Sequence, residues 1–266
     1  MNDVLFEIRN GGAFVTLNRP EVRNAINPAV LLAICDFLAR IDGNPEVRYL
    51  VLRGEGVSFS SGGDIGAYAD ALDKDPAELR SFFERRVRGN AECFYRLHTL
   101  EIPVISVAQG AVAGAGINFL LTSDFVLATE DAMLFFAQTR IGLPLDLSLT
   151  YFLPRIIGAK RARQLALTGG RLGAAEAKDL GIIDQVMPSD AMDDALATLI
   201  KSLAAVAPRA AGRSKLLINS SEDHGLVAQM EREVEAIGEC VVEPDFREGV
   251  RAFVEKRFAQ FSGQGR

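Results

Sequence analysis

Two short segments carry residue types able to hold a developing negative charge. One is Phe59-Ser60-Ser61-Gly62-Gly63-Asp64-Ile65, and the other runs Gln109-Gly110-Ala111-Val112-Ala113-Gly114-Ala115-Gly116-Ile117. Each follows an apolar run that reads as a buried strand, and each leads toward a helix. Glycine allows φ > 0 and lets backbone N–H groups approach a ligand closely. A helix start adds unpaired donors and a dipole that favours an anion. Two such nests facing each other would hold a single oxyanion. Either segment alone is equally compatible with a purely structural turn. Neither matches G-x-G-x-x-G followed by a suitably placed acid, nor G-x-x-x-x-G-K-[ST], so a nucleotide phosphate loop is disfavoured. No G-x-S-x-G elbow is present, so a hydrolase of that kind lacks its nucleophile.

The elements that must position these nests follow from periodicity. Val4–Arg9 and Ala13–Leu17 read as a hairpin around Asn10-Gly11-Gly12. A helix begins near Pro28 and runs to about Ile41, with apolar residues at Val30, Leu31, Ile34, Phe37, Leu38 and Ile41. Tyr49–Leu52 and Pro103–Ala108 read as buried strands, and residues 77–99 as one long helix. The polar stretch from Gly66 to Pro76 reads as a mobile loop. Phe125–Ala128, Met133–Phe136 and Ile182–Val186 are further short strands. Helices are expected at 159–168 and 174–180, and only helices beyond 190. Strands alternating with helices, then helices alone, predict an α/β core with an all-α appendage.

Composition narrows the function classes. The 266 residues give fewer than two domains at about 150 residues each. A hydrophobic content of 48% supports a packed core, and a net charge of −6 argues against a nucleic-acid partner. That charge leaves room for a local basic pocket for a phosphate-bearing ligand. Cys35, Cys93 and Cys240 lie far apart and suit reduced thiols. Two histidines make a histidine-rich metal centre unsupported. No apolar run reaches the ~18 residues of a membrane span, and the opening MNDVLFEIRNGG lacks a signal-peptide core. The expectation is a soluble cytoplasmic protein without a membrane partner.

A series of strings then gains meaning from its order. They are Leu17-Asn18-Arg19-Pro20…Asn24-Ala25-Ile26, Val51-Leu52-Arg53-Gly54, both nests, Ser123-Asp124-Phe125-Val126-Leu127-Ala128, Leu153-Pro154-Arg155-Ile156-Ile157-Gly158, Leu167-Thr168-Gly169 and Phe246–Arg257. In this order and spacing the sequence resembles the enoyl-CoA hydratase/isomerase (crotonase) superfamily over nearly its whole length. The resemblance implies a crotonase-like spiral of ββα units over 1–195 that carries an acyl-CoA site. It implies a helical C-terminal region over 196–266 that forms a homotrimer or a dimer of trimers. Coenzyme A is then part of the substrate, with no other cofactor and no metal.

Residue by residue, the resemblance makes the backbone N–H groups of Gly63 and Ala115 the oxyanion donors. Ala115 stands where many relatives have glycine. Arg23, Ala25, Ser61, Gly62, Asp64 and Ile65 match CoA contacts, and Arg23 would meet phosphate. Phe253 and Lys256 match positions near the nucleotide end, often supplied by a neighbouring subunit. Segment 247–266 holds five basic residues (Arg247, Arg251, Lys256, Arg257, Arg266) against two acids, which a solvated amphipathic helix would also explain.

The acids decide the chemistry. The two glutamates of a hydratase in this family match Asn118 and Gln138, and neither amide takes a proton at neutral pH. Ile141-Gly142-Leu143-Pro144-Leu145-Asp146 resembles a branch that includes the 2-(1,2-epoxy-1,2-dihydrophenyl)acetyl-CoA isomerase, whose relatives use a single acid for 1,3-proton transfer. Asp146 matches that acid. Its apolar neighbours Leu145, Leu147 and Leu149 would raise its pKa. Leucines stand where the branch has small residues, and the proline is displaced by one. A helix N-cap ahead of Leu147 is the structural alternative for Asp146.

Other candidates have plainer readings. Asp64 reads as a cap or loop-stabilising acid and Asp124 as structural. Glu84 and Glu92, with Arg85, Arg86 and Arg88, read as a solvated helix face. His98 and His224 read as structural or surface residues. Tyr68 and Tyr95 either line an acyl pocket or pack. The sequence thus predicts an acyl-CoA double-bond isomerase. A hydratase, lyase or decarboxylase with a different acid, and an inactive acyl-CoA-binding member, are its rivals.

Overall fold

The hairpin strands β1 (Val4–Arg9) and β2 (Gly12–Leu17) pair antiparallel, with Arg9 opposite Gly12. Asn10 (φ 50°) and Gly11 (φ 76°) take the left-handed turn conformations that match strand twist. Helix α1 (Pro28–Ile41) is started by Asn27, whose side chain accepts from Val30 N–H, with Pro28 pre-set for the first turn. Strand β3 (Tyr49–Gly54) runs parallel to β2. A short helix α2 (Ile65–Ala69) precedes the long α3 (Pro76–Thr99). Asp75 caps α3 by accepting from the Ala77 and Glu78 N–H groups. The computed structural model describes residues 2–263, so Arg266 of the basic tail lies outside the described residues.

Strands β4 (Val104–Ala108) and β5 (Ala111–Ala113), helix α4 (Ala115–Leu121), and strands β6 (Phe125–Thr129) and β7 (Met133–Phe135) follow. Next come α5 (Leu149–Ile157), α6 (Ala159–Thr168), β8 (Arg171–Gly173), α7 (Ala174–Asp179) and β9 (Gln185–Met187). The larger sheet has the order β1-β2-β3-β4-β6-β9 and is parallel after its first pair. The smaller has the order β5-β7-β8. Strands β4 and β6 thus enter the large sheet, while β5 and β7 after them enter the small one. This is the crotonase spiral. Isolated bridges Ser60–Val112 and Ile26–Gly63 carry the pairing on from β5 to the first nest.

The inner strands β2, β3, β4 and β6 of the large sheet are buried on both faces, which is why they read as apolar runs, while the edge strand β1 is largely exposed. Leu50 and Leu52 face a core shared with Ile34, Leu38, Leu97 and Ile117. Tyr49 and Val51 face a second core with Ile105, Leu127, Met192 and Leu196. Met192 and Leu196 belong to α8 (Met192–Ala204), so the expected division at 195/196 falls inside a helix packed on the sheet. Only helices follow among the described residues: α9 (Pro208–Asn219), α10 (Leu226–Val241) and α11 (Pro244–Glu255), besides 3₁₀ turns. On α9, Lys215 Nζ reaches Asp124 Oδ2 at 2.6 Å and Ile102 O at 3.1 Å, tying this region to the start of β4.

Several expectations need correction. The stretch after Gly66 is not simply a loop, because α2 and turns fill it. The last strand lies at Gln185–Met187 rather than 182–186. The second nest contains the short strand β5, and β8 had no signal beyond Arg-Leu-Gly. Helix α5 begins before Pro154 and includes it as its sixth residue, a position that lacks the usual helical N–H donor.

Candidate active site

The first nest is laced to the segment before α1. Ser61 N–H donates to Arg23 O at 2.8 Å, Ile26 N–H to Gly62 O at 2.7 Å, and Asp64 N–H to Ile26 O at 3.0 Å. Asn24, buried and left-handed, donates through Nδ2 to Glu55 O and Ser58 O. On its other side the nest meets β5, with Ala113 N–H donating to Ser60 O at 2.9 Å. At Gly62 (φ 87°) the approach leaves no room for a side chain, because a Cβ would lie 2.8 Å from Ala113 O; at Gly114 the space would suffice, and glycine is favoured by the φ of 47° instead.

Gly63 and Ala115 therefore stand on adjacent strips of backbone and line one cavity of about 210 Å³. Ala115 opens α4, so its N–H has no partner within that helix. Among the described residues, no turn or loop hydrogen bond takes up either N–H. Ser61, Gly62, Ile65, Tyr68, Gln138 and Asp146 line the same cavity.

The far wall comes from α2 and α3. Tyr68 packs edge-on against Phe83 at 5.0 Å, and Arg86 lies 5.0 Å over its ring. Arg86, Val87 and Asn90 face the cavity at helical spacing. This corrects the reading of Arg86 as part of a solvated face, because it is half-buried and Nη2 donates to Ile26 O at 3.3 Å. Sequence reasoning missed Asn90 and Val87 as well. The 83/86/87/90 spacing was the available signal.

Asp146 is partly buried beside the buried Leu145 and Leu147. Burial raises its carboxyl pKa above the ordinary 3.8, and the nearby Gln138 amide opposes this without reversing it. No hydrogen bond of ordinary geometry joins them, and both polar atoms of Gln138 are buried without partners. The helix-cap alternative for Asp146 is excluded, since α5 starts at Leu149 without a side-chain cap. Leu147 (φ 50°) and Ser148 (φ 78°) both take left-handed conformations just after the acid. Asn118 is fully buried and does not line the cavity; its Oδ1 accepts from Ser148 Oγ at 3.5 Å, and its Nδ2 has no partner.

The remaining predicted residues lie elsewhere. Asp64 pairs with Arg19 at 3.1 Å. Burial pushes its pKa up, but Arg19 and the Ala67 and Gly66 N–H groups outweigh this and lower it. Arg23 is exposed in a left-handed turn, and Ala25 is buried beside it. Phe253 and Lys256, at the exposed end of α11, do not line the cavity in the single chain. Tyr95 is exposed and away from it. His98 is half-buried, lies 4.9 Å from the tilted Phe152 ring and has a pKa lowered by burial. Among the described residues no cluster of three or more metal-ligating side chains forms, and no helix is long and apolar enough to cross a membrane.

Fold and cavity together describe a spiral protein in which two backbone N–H groups and one partly buried carboxyl line one cavity, an arrangement able to hold an anion beside a group that can move a proton. The enoyl-CoA hydratase/isomerase family model matches residues 7–264, and the chain belongs to that family. A Rhodobacter capsulatus protein named "Probable enoyl-CoA hydratase" is 36% identical over 98% of each chain. The 1,2-epoxyphenylacetyl-CoA isomerase of Escherichia coli is 33% identical over 99% of this chain and 100% of its own. The crystal structure of an enoyl-CoA hydratase/isomerase from Marinobacter aquaeolei superposes with a TM-score of 0.91 at 28% identity, covering 98% of this chain and 99% of the other. The family acts on CoA thioesters.

Proposed function

We propose that this protein is an acyl-CoA isomerase that moves a double bond from the 3,4 to the 2,3 position, or does so in a ring-bearing analogue. The observation that carries this reading is the Asp146 carboxyl, made more basic by burial, in the same cavity as the Gly63 and Ala115 N–H groups. The Asp146 carboxylate takes a proton from C2 of the thioester. The electron pair moves onto the thioester oxygen, which the two N–H donors hold as an enolate. The same carboxyl returns the proton to C4, and the double bond settles between C2 and C3. A raised pKa suits a group that both takes and returns a proton near neutrality. Gln138 takes no proton and orients groups at the cavity wall, while Asn118, off the cavity, takes no proton either.

In this reading Ser61, Gly62, Asp64, Ile65, Arg23 and Ala25 serve the CoA portion, and Tyr68 shapes the acyl pocket. Phe253 and Lys256 reach CoA from a neighbouring subunit. The proposed chemistry needs no metal or redox cofactor. The exposed stripe Val227, Met230, Val234, Ile237 and Val241 on α10 supports a homotrimer or a dimer of trimers, which sedimentation would count. A cytoplasmic location follows from the same reading.

The test is conversion of a 3-enoyl-CoA, followed by the absorbance of the conjugated 2-enoyl thioester, for wild type and Asp146→Asn. Conversion lost by about 10²–10⁴-fold in a folded variant is the expected result. Solvent-oxygen incorporation into a 3-hydroxyacyl product, unaffected by the substitution, would establish a hydratase instead. Thioester binding without turnover would establish an inactive binder.

A further inference from the structure

The cavity holds a positive charge that has no acidic partner among the described residues. Arg86 makes no ion pair among the described residues, and its Nε is buried without a hydrogen-bond partner. Its one directed bond goes to the Ile26 carbonyl. Glu84, the nearest acid along α3, is engaged by Arg80 at 2.7 Å. Asp146 lines the same cavity, yet its pKa is raised by burial with no counteracting pull from Arg86. Asn90, buried, adds a second polar group one helical turn on, and the buried Gln138 amide is unpartnered on the opposite wall. A cavity for a plain hydrocarbon tail gains nothing from these groups, because an apolar tail would strip water from polar atoms and offer them no hydrogen bond in return.

We infer that Arg86 is a specificity residue that selects an acyl group bearing a carboxylate, received by its guanidinium where it lines the cavity, with Asn90 beside it. This rests on the acyl-CoA reading of the cavity, not on the double-bond shift. Guanidinium suits the role because it stays charged and presents several N–H donors in one plane to a carboxylate. Tyr68, stacked on the guanidinium, and the Ile26 carbonyl fix its plane.

Binding of saturated thioesters separates this from the isomerase proposal, since none of them can isomerise. Calorimetric titration would compare succinyl-, glutaryl- and adipyl-CoA with their uncharged isosteres 4-methylpentanoyl-, 5-methylhexanoyl- and 6-methylheptanoyl-CoA. At least one charged member should bind wild type about tenfold or more tightly than its isostere. Arg86→Gln should abolish that preference by weakening the charged member far more than its isostere, and Arg86→Lys should keep part of it. No preference at any length would overturn the inference. So would equal weakening of both members, which would make Arg86 only a support for the Ile26 carbonyl. If Arg86→Gln does not fold, the wild-type preference and the Arg86→Lys comparison still decide. A carboxylate preference without double-bond conversion would sink the isomerase reading and leave this one standing.

Discussion

The Tyr68 hydroxyl occupies the space that a Cβ on Gly63 would need. The backbone there is not left-handed, so glycine is required by this contact rather than by φ. Gly63→Ala should displace the ring or the nest and lower kcat/KM by about 10²-fold or more, as expected for a misplaced oxyanion donor. Removing the hydroxyl leaves the ring carbon Cζ, at 3.2 Å, as the nearest obstacle. The double variant Gly63→Ala, Tyr68→Phe should therefore recover part of the loss. Strict additivity in this double-mutant cycle would show that Tyr68 does not press on the nest.

Burial that raises the Asp146 pKa also makes stability depend on pH. The folded chain binds this proton more tightly than the unfolded chain does. The group's contribution is therefore present below its ordinary pKa of 3.8 and is lost as pH rises through the raised value. Asp146→Asn carries no such titration. Its melting temperature should exceed that of wild type at neutral pH, and the gap should narrow as the pH falls. A constant gap would mean that the carboxyl titrates normally.

Two left-handed residues follow the acid, and neither is glycine. Ser148 at φ 78°, ψ 0° is the simpler to relieve, because Leu147 also packs in the core. Ser148→Gly should stabilise by about 0.5–1 kcal/mol in chemical denaturation. A loss instead would show that the Ser148 hydroxyl's bond to Asn118 outweighs the strain.

Lys215 is nearly buried, with Asp124 and the Ile102 carbonyl as partners. Burial lowers its pKa, and Asp124 opposes this. Lys215→Met should cost about 3 kcal/mol by leaving Asp124 short of its counter-charge. Adding Asp124→Asn should return part of it. Urea unfolding of the single and double variants measures both.

The sequence was most legible where one physical pattern dominated. Doubly buried strands such as Tyr49–Leu52 and the long helix 76–99 are unmistakable in apolar periodicity. Both nests stood out because close backbone approach leaves glycine few substitutes. Elements of three residues, such as β5 and β8, have no periodicity to read, since partners distant in the chain create them. Arg86 was misplaced for a related reason. Its neighbours Arg85 and Arg88 are exposed, and only the packing of α3 against Tyr68 turns one of three arginines inward. Asp146 was found through its resemblance to a known branch and not through its local pattern, which a helix cap would have explained equally well.

The cavity does not end at Asp146. An adjoining space of about 470 Å³ shares Tyr68, Val87, Leu143 and Asp146 with it, and is otherwise walled by Phe83, Glu84, Arg88, Ala91 and Pro144. The acid thus stands where two adjoining spaces meet, not at the bottom of a sack. An acyl chain passing from one to the other would meet no terminal wall to measure its length. Selection would then fall on the groups the chain carries past the polar side chains of the first space, and not on how many carbons it has.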